Sequence, residues 1–133
     1  LSCSLFAQTK TKSTADPYVF LNGKTFVVSV YSFDSEKNTN SSTYDEIVFV
    51  NGKFYSKNMG ETYSYKPDKY TCKANQNSDT ISFVAFSHNQ TDGIEIFWQG
   101  TIIGNQIKGT KHWFSKGSTN MFSGFLKYEE AAK

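Results

Sequence analysis

WQGTIIGNQIKGTKHW, residues 98–113, decides the fold because it contains a β-hairpin whose register can be counted. Gly104 and Asn105, near its middle, form a two-residue turn of the kind that joins antiparallel strands. Side chains alternate between the two faces of a strand, so the turn fixes which residues lie together. The predicted cross-strand pairs are Ile103 with Gln106, Ile102 with Ile107, Gly100 with Gly109, Trp98 with Lys111, and Ile96 with Trp113.

This register gives the hairpin one apolar face and one polar face. The two tryptophans of the chain, Trp98 and Trp113, fall on the apolar face together with Ile96, Ile102 and Ile107. We expect that face to look into a core, because an antiparallel strand buried on one side alternates in this way. The opposite face is polar, as exposure to solvent requires, and carries Glu95, Gln99, Thr101, Gln106, Lys108, Thr110 and His112.

A second hairpin lies in EIVFVNGKFYSK, residues 46–57, around the dipeptide Asn51-Gly52. Asn-Gly tolerates the positive φ angles of a type I′ turn, whose twist matches that of paired strands. Its apolar face, which includes Phe49 and Phe54, is expected to join the core. The predicted pairs are Val50 with Lys53, Phe49 with Phe54, Ile47 with Ser56, and Glu46 with Lys57 as an exposed ion pair.

The rest of the chain repeats short alternating runs, separated by clusters of Asn, Gly, Asp and Ser at intervals of roughly ten residues. Aromatic residues make up 17% of the chain, a composition that favours strands. We therefore predict an all-β fold, an up-and-down antiparallel barrel of about eight strands formed by residues 17–127 as one domain. Further strands are predicted at residues 25–34, 70–74, 80–87 and 120–127, another near 61–65, and loops at 35–43 and 87–93.

The first eight residues, LSCSLFAQ, are apolar and small, unlike the polar residues that follow. They resemble the end of a secretory signal peptide cleaved after Ala7, so we expect a secreted or periplasmic protein. Two other interpretations stay open, namely a short N-terminal strand and a lipid anchor on Cys3. Residues 9–16 and 128–133 are expected to be a flexible leading segment and a C-terminal tail.

The cysteines and the apolar runs give two further expectations. Without the leader, Cys72 is the remaining cysteine, and we expect a buried small hydrophobe rather than a reactive thiol. If Cys3 stays, nothing in the spacing supports a disulfide between it and Cys72. No apolar run reaches the roughly 18 residues that span a bilayer, so no transmembrane segment is expected.

The charged residues argue against several functions. The net charge of +2 comes from lysines scattered along the chain, and there is no arginine. The absence of a basic cluster argues against nucleic-acid binding, and the absence of guanidinium groups disfavours tight recognition of a polyanion.

Catalytic and metal-binding patterns are also missing from the sequence. His88 and His112 lie far apart, and no cluster of His, Cys, Asp and Glu has the spacing of metal ligands. There is no nucleophile elbow and no glycine-rich phosphate loop. We therefore predict no enzyme activity, no metal and no cofactor, and interpret these carboxylates as turn or outer-face residues: Asp45, Glu46, Asp92 and Glu95.

The facing glycines Gly100 and Gly109 have two interpretations. They leave a gap inside the barrel that could be a ligand pocket walled by Trp98, Trp113 and neighbouring isoleucines. Alternatively, glycine lets the strands bend sharply enough to close the barrel, and neighbouring aromatic side chains fill the gap.

Five segments of the chain resemble a known group of proteins. In order and spacing, DEIVFVNGKFYSK, YTCK, ISFVAFS, WQGTIIGNQIKGTKHW and FSGFLK resemble small exported bacterial lipocalin-like (calycin-type) β-barrel proteins, mostly of unassigned function. The resemblance covers roughly residues 45–127 and rests on strand and hairpin motifs. It implies a lipocalin-like meander and, since lipocalin-like barrels bind small apolar molecules, a ligand of that kind.

Our first hypothesis is an exported, non-catalytic barrel that binds a small apolar or aromatic ligand in its interior. The second is a packed barrel that acts through its outer surface as a protein-interaction, envelope or inhibitor module, with Tyr55, Phe97 and Phe114 outside. The third is a barrel enzyme of the isomerase type that uses Tyr or Glu in the cavity; a carboxyl group inside the barrel would favour it, and the register places none there. The ligand site of the first hypothesis comprises Trp98, Trp113, Gly100, Gly109, Ile96, Ile102, Phe49 and Phe54.

Overall fold

The computed structural model describes residues 16–75, 79–89, 93–114 and 116–128. The predicted leader, Cys3, nearly all of the segment 9–16 and residues 129–133 lie outside this part of the chain. The described strands are β1 (Lys24–Asp34), β2 (Thr39–Val50), β3 (Lys53–Ser56), β4 (Asp68–Ala74), β5 (Thr80–His88), β6 (Glu95–Ile103), β7 (Gln106–Trp113) and β8 (Ser118–Leu126). Two short helices accompany them, α1 (Pro17–Leu21) and α2 (Lys57–Tyr63).

The eight strands close into one antiparallel barrel, in which each strand pairs with the next and β8 pairs with β1. This confirms the predicted all-β, up-and-down barrel. Neither helix is long and apolar enough to cross a membrane.

The counted register is confirmed throughout the hairpin of β6 and β7, and in the second hairpin it is confirmed from Val50 opposite Lys53 to Ile47 opposite Ser56. Trp98 lies opposite Lys111 and Gly100 opposite Gly109 between β6 and β7. Phe49 lies opposite Phe54 between β2 and β3. Asn51 and Gly52 have φ angles of 53° and 76°, as the type I′ turn requires.

The loop predicted at residues 35–43 is wrong for its second half. The chain turns between β1 and β2, and β2 begins at Thr39, which pairs with Asp34. Residues 39–44 are all exposed, so both faces of this part of the hairpin meet solvent. Polar residues therefore occupy both faces, and the alternation that identifies a strand is missing.

The strand predicted near residues 61–65 is also wrong, because residues 57–63 form α2. Ser56 caps this helix and accepts a hydrogen bond from the Met59 backbone N–H at 3.2 Å. Gly60 lies so close to the Tyr55 ring that a side chain there would collide with it. These contacts favour a helical turn over the continued strand that the local sequence suggests.

The predicted ion pair between Glu46 and Lys57 is present, although Lys57 lies in α2 and not in a strand. Lys57, although helical, keeps its Nζ 3.5 Å from a Glu46 carboxylate oxygen. Lys127 binds the other oxygen at 2.8 Å. The hydrogen bond from Lys127, followed by the charges of both lysines, lowers the pKa of Glu46, and solvent limits the contribution of such a surface pair to stability.

Helix α1 covers one end of the barrel and was not predicted. Asp16 caps it by accepting from the Tyr18 backbone N–H, and proline occupies its first turn. Leu21 is fully buried, and the Tyr18 ring centroid lies 5.4 Å from that of Tyr70. An Asp-Pro pair before an apolar residue was the available signal, but five residues are too few to show helical periodicity.

Cys72, in β4, is half-buried and packs against the core, as expected of a small hydrophobe. Burial, reinforced by the charge of Asp16, raises the pKa of its thiol to about 11. At neutral pH its thiolate fraction should be about 100-fold below that of an ordinary thiol. We expect iodoacetamide to alkylate Cys72 about 100-fold more slowly in the folded protein than in urea. Peptide mass spectrometry would measure this, and equal rates would contradict the burial.

Candidate functional site

The predicted ligand-site residues come together inside the barrel, mostly as core. Six of the eight lie on β2, β3 and β6, and the other two, Gly109 and Trp113, lie on β7. The side chains of five are almost completely buried. Trp113 is half-buried at the end of the barrel near α2. The fully buried members are Phe49, Phe54, Ile96, Trp98 and Ile102.

Aromatic rings occupy the space between these residues. The ring centroids of Phe54 and Trp98 are 5.1 Å apart, and those of Trp98 and Phe122 are 5.5 Å apart. Phe83 lies 5.3 Å from Phe49 in an edge-on contact. Such tilted and edge-on pairs are the favoured packing of aromatic side chains.

The gap at the facing glycines is filled in the same way. A β-carbon on Gly100 would lie 3.0 Å from the Phe83 ring, and one on Gly109 would lie 2.8 Å from the Phe122 ring. These contacts match the interpretation in which glycine allows close packing. A small ligand between the tryptophans stays a prediction.

The close approach at Gly109 gives a stability test. We expect Gly109→Ala to lower the free energy of unfolding by about 2–3 kcal/mol, because its β-carbon would meet the Gln99 carbonyl oxygen and the Phe122 ring. Ser82→Ala, on the outer face of β5, should change it by less than about 0.5 kcal/mol. Urea denaturation measures both. An unchanged Gly109→Ala variant would show spare room inside the barrel.

A polar cluster lies at the α2 end of the barrel and was missed by sequence reasoning. The strand registers place Asp45, Ser56, Ser87 and Lys111 at the same end of β2, β3, β5 and β7, and Asn89 directly follows β5. The opposite end of the interior is apolar and aromatic. We call the following residues the buried polar cluster: Asp45, Ser56, Ser87, Asn89 and Lys111.

Asp45 anchors this cluster, and its predicted place on a turn or the outer face is wrong. The side chain is only 5% exposed. Its carboxylate accepts from the Ser56 hydroxyl at 2.5 Å and from the backbone N–H groups of Glu46 and Asn58 at 2.7 and 2.9 Å. Alternation with buried Ile47 could have placed it inside, but a carboxylate is rarely interpreted as a core residue.

Lys111 is the basic member of the cluster and is only 4% exposed. Its Nζ lies 5.0 Å from the ring centroid of Trp98 and 5.1 Å from that of Trp113, within the range of cation–π contacts. Burial lowers the pKa of Lys111 to about 8, against the opposing effect of Asp45 and with a smaller contribution from Lys116. The predicted pairing with Trp98 had already placed this lysine on the inner face.

Hydrogen bonds and ring contacts fix the surroundings of this amine. The Trp98 indole N–H donates to the Ser87 hydroxyl at 2.9 Å. Trp113 has the Lys116 Nζ 4.9 Å from its ring centroid and the Tyr63 ring edge-on at 5.8 Å. The cluster therefore holds a buried amine and a buried carboxylate beside two indoles.

The histidines do not join this cluster. His112 lies on the outer face with its Nδ1 2.8 Å from the Thr119 hydroxyl, and His88 lies 3.4 Å from Glu95. In the described ranges, no group of three or more His, Cys, Asp and Glu side chains could hold a metal ion.

A groove crosses the outer face of the barrel. Its floor is a row of cross-strand neighbours in which Ser29 faces Ser123, Ser123 faces Lys108, Lys108 faces Thr101, and Thr101 faces Ser82. Tyr44 on β2 ends the row opposite Ser29. We call this feature the outer groove.

The walls of the outer groove are large and apolar. One wall pairs Val27 with Phe125, and the other pairs Tyr31 with Met121. Two adjoining hollows of about 500 and 810 Å³ lie along it, and the second is also lined by Gly100 and Gly109. The exposed wall residues are Val27, Tyr31, Tyr44, Val84, Ile103, Met121 and Phe125.

The three aromatic residues expected outside differ in exposure. Phe114 is exposed, whereas Phe97 is half-buried with its ring 5.1 Å from that of Phe86. Tyr55 is half-buried against Gly60 of α2. None of these three residues lines the outer groove.

Fold and sites define a closed, eight-stranded antiparallel meander with an aromatic core, consistent in architecture with a lipocalin-like barrel. Comparison with protein-family models, curated proteins and solved structures finds no match to this chain. Its function therefore has to be argued from its own residues.

Proposed function

We propose that this barrel is a non-catalytic binding module that holds an extended segment of a partner protein in the outer groove. The observation that carries the proposal is the groove itself, with exposed apolar walls on both sides of a hydroxyl-lined floor. The aromatic core supports the outer surface as the binding site, because its rings occupy the interior space a small ligand would need.

The composition of the groove walls favours a protein partner. Protein interfaces are enriched in aromatic residues and methionine and depleted of lysine, aspartate, glutamate, serine and alanine, so the walls carry this argument and the floor of serine, threonine and lysine does not. Tyr31, Tyr44, Met121 and Phe125 are between half and four-fifths exposed, and no acidic residue among those that the structure describes lines either hollow. An exposed apolar surface of this kind commonly marks an interaction site.

The dimensions and charge define the segment that would fit. The floor crosses six strands, about 24 Å at the usual strand spacing, which an extended peptide of about seven residues would span. Within the described part of the chain, Lys108 in the floor is the one charged residue that lines the two hollows. The segment should therefore have apolar side chains on both sides of one acidic residue.

The closed barrel determines how such a segment is recognised. The strands beneath the groove, which are β5, β6, β7, β8, β1 and β2, pair side by side, so the groove presents the face of a sheet and not a free edge. Recognition there must come from side chains of the walls and floor. The meander order also supports placing the chain among lipocalin-like barrels, although the site proposed here lies outside the barrel.

Selection from a displayed library of random peptides tests the proposal. We expect peptides with one acidic residue among apolar ones, binding with Kd of roughly 1–100 μM. The double variant Tyr44→Ser/Phe125→Ser should weaken binding at least about tenfold. Tyr44 is a residue type that often dominates binding energy, and Phe125 is a large exposed apolar side chain. Lys108→Gln should remove the preference for the acidic residue.

Matched controls lie elsewhere on the surface. Val19→Ser and Phe114→Ser remove exposed apolar side chains outside the groove and should leave peptide binding unchanged. Failure to enrich any peptide, or equal binding by the double variant, would overturn the proposal. Glycan binding that the double variant abolishes, without peptide binding, would replace it with a sugar-binding surface.

A further inference from the structure

Lys111 is a primary amine held in a largely dry environment. Among the described residues, the ion pairs involve other side chains, and the contacts of its Nζ are with the two indole faces. An ammonium group with so little water and no ion pair is costly to maintain. Burial therefore gives Lys111 a larger fraction of the neutral, nucleophilic amine than an exposed lysine has.

The charges around Lys111 indicate which ligand chemistry suits it. Asp45, from β2, already places a negative charge close enough to act on the amine, and Lys116, from the turn before β8, places a positive one. A second anion would be repelled by Asp45. An uncharged electrophile does not meet this obstacle, and the free-amine form reacts with a carbonyl carbon without needing a charged partner.

We propose that Lys111 is a covalent attachment site for a small aldehyde, which it holds as an imine beside Trp98 and Trp113. The nitrogen lone pair forms a bond to the carbonyl carbon as the C=O π bond breaks, and the oxygen takes up one proton from nitrogen. The resulting hydroxyl group leaves as water together with the second nitrogen proton, and a C=N double bond remains. The indoles and the core around them shield this bond from hydrolysis.

The rim of the barrel limits the size of the aldehyde. Trp113 is half-buried at this end, with Tyr63 edge-on against it and Lys116 over its face. This packing would exclude large aldehydes, so we expect the amine to accept only small ones. This site lies inside the barrel and the proposed peptide site lies outside, so either proposal can fail without the other.

Reductive alkylation with acetaldehyde and cyanoborohydride tests this inference on the folded protein. Peptide mass spectrometry would measure the labelling rate at each lysine. At pH 7 a lysine of pKa about 8 has roughly 200 times the free amine of an ordinary lysine. We expect Lys111 to be labelled at least about tenfold faster than exposed Lys73 despite its burial.

The pH dependence separates amine chemistry from simple accessibility. The ratio of the two rates should fall about tenfold between pH 7 and pH 9, because the free-amine fractions converge. Lys116→Gln removes a like charge, so it should raise the pKa of Lys111 and slow its labelling at pH 7. Lys73→Gln, an exposed change on β4, should leave the Lys111 rate unchanged.

Three outcomes would overturn the inference. Lys111 could be labelled no faster than Lys73 at pH 7, which would make it a structural residue. Its rate advantage could be independent of pH, or it could persist in urea, where the environment of the indoles is lost.

Discussion

Asp45→Ala is expected to lower the free energy of unfolding by about 3–5 kcal/mol. The change removes the acceptor of three hydrogen bonds and leaves the Ser56 hydroxyl and the N–H groups of Glu46 and Asn58 unsatisfied. It also releases α2, since the Asn58 bond ties the first turn of that helix to β2. Urea denaturation followed by tryptophan fluorescence measures the loss.

An exposed aspartate supplies the control for Asp45. Asp68 accepts one hydrogen bond from the Lys69 backbone N–H at 2.8 Å in an exposed position. Asp68→Ala should therefore cost less than about 1 kcal/mol. If Asp45→Ala costs no more than Asp68→Ala, the buried polar cluster does not hold the α2 end together.

Lys111→Met is expected to change the pH dependence of stability by about 3 kcal/mol. The folded-state pKa of Lys111 is lowered from 10.5 to about 8, so between these values the unfolded chain binds the extra proton. The contribution of Lys111 to the free energy of unfolding of the parent protein therefore rises as pH increases from about 8 to 10.5. Methionine removes that gain while keeping an apolar stem over the indoles.

The comparison is made as a difference between variant and parent. Ionisation of Cys72 and Tyr70, whose pKa values burial raises to about 11 and 12, lowers stability in the same alkaline range and cancels in the difference. The stability of Lys111→Met relative to the parent should fall by about 3 kcal/mol from pH 7.5 to 10.5. Exposed Lys73→Met should show no such trend, and a flat difference for Lys111→Met would mean that the amine is solvated.

The parts of the fold that sequence predicted are those with strong local chemistry. Asn51-Gly52 and Gly104-Asn105 define turns, and alternating side chains around them fix register without tertiary information. The inner positions of Trp98 and Phe49 follow directly from counting. Eight such strands with short connections lead to a closed barrel.

The errors occur where tertiary contacts override local pattern. Residues 57–63 form a helix because Ser56, Asp45 and the Tyr55 ring are placed by distant pairing, which the local residues do not encode. Residues 39–43 form a strand without an apolar face, and residues 31–33 of the partner strand, which pair with residues 40–42, are exposed as well.

The candidate sites were predicted only in part. Counting placed Lys111 opposite Trp98, yet the consequence, a buried amine between two indoles, depends on where Trp113 and α2 lie in three dimensions. The outer groove depends on side chains from six strands meeting across the barrel, a relation that needs the whole sheet register.

An NMR titration tests most directly whether partners bind the outer groove or the barrel interior. Amide and indole N–H shifts of the 15N-labelled protein would be followed while a selected peptide is added. We predict shifts at Ser29, Lys108 and Ser123, with the buried Trp98 indole N–H, bonded to Ser87, unchanged. Shifts centred on the Trp98 indole and the amide of buried Ile96, with the groove unaffected, would contradict the account and return the binding site to the barrel interior.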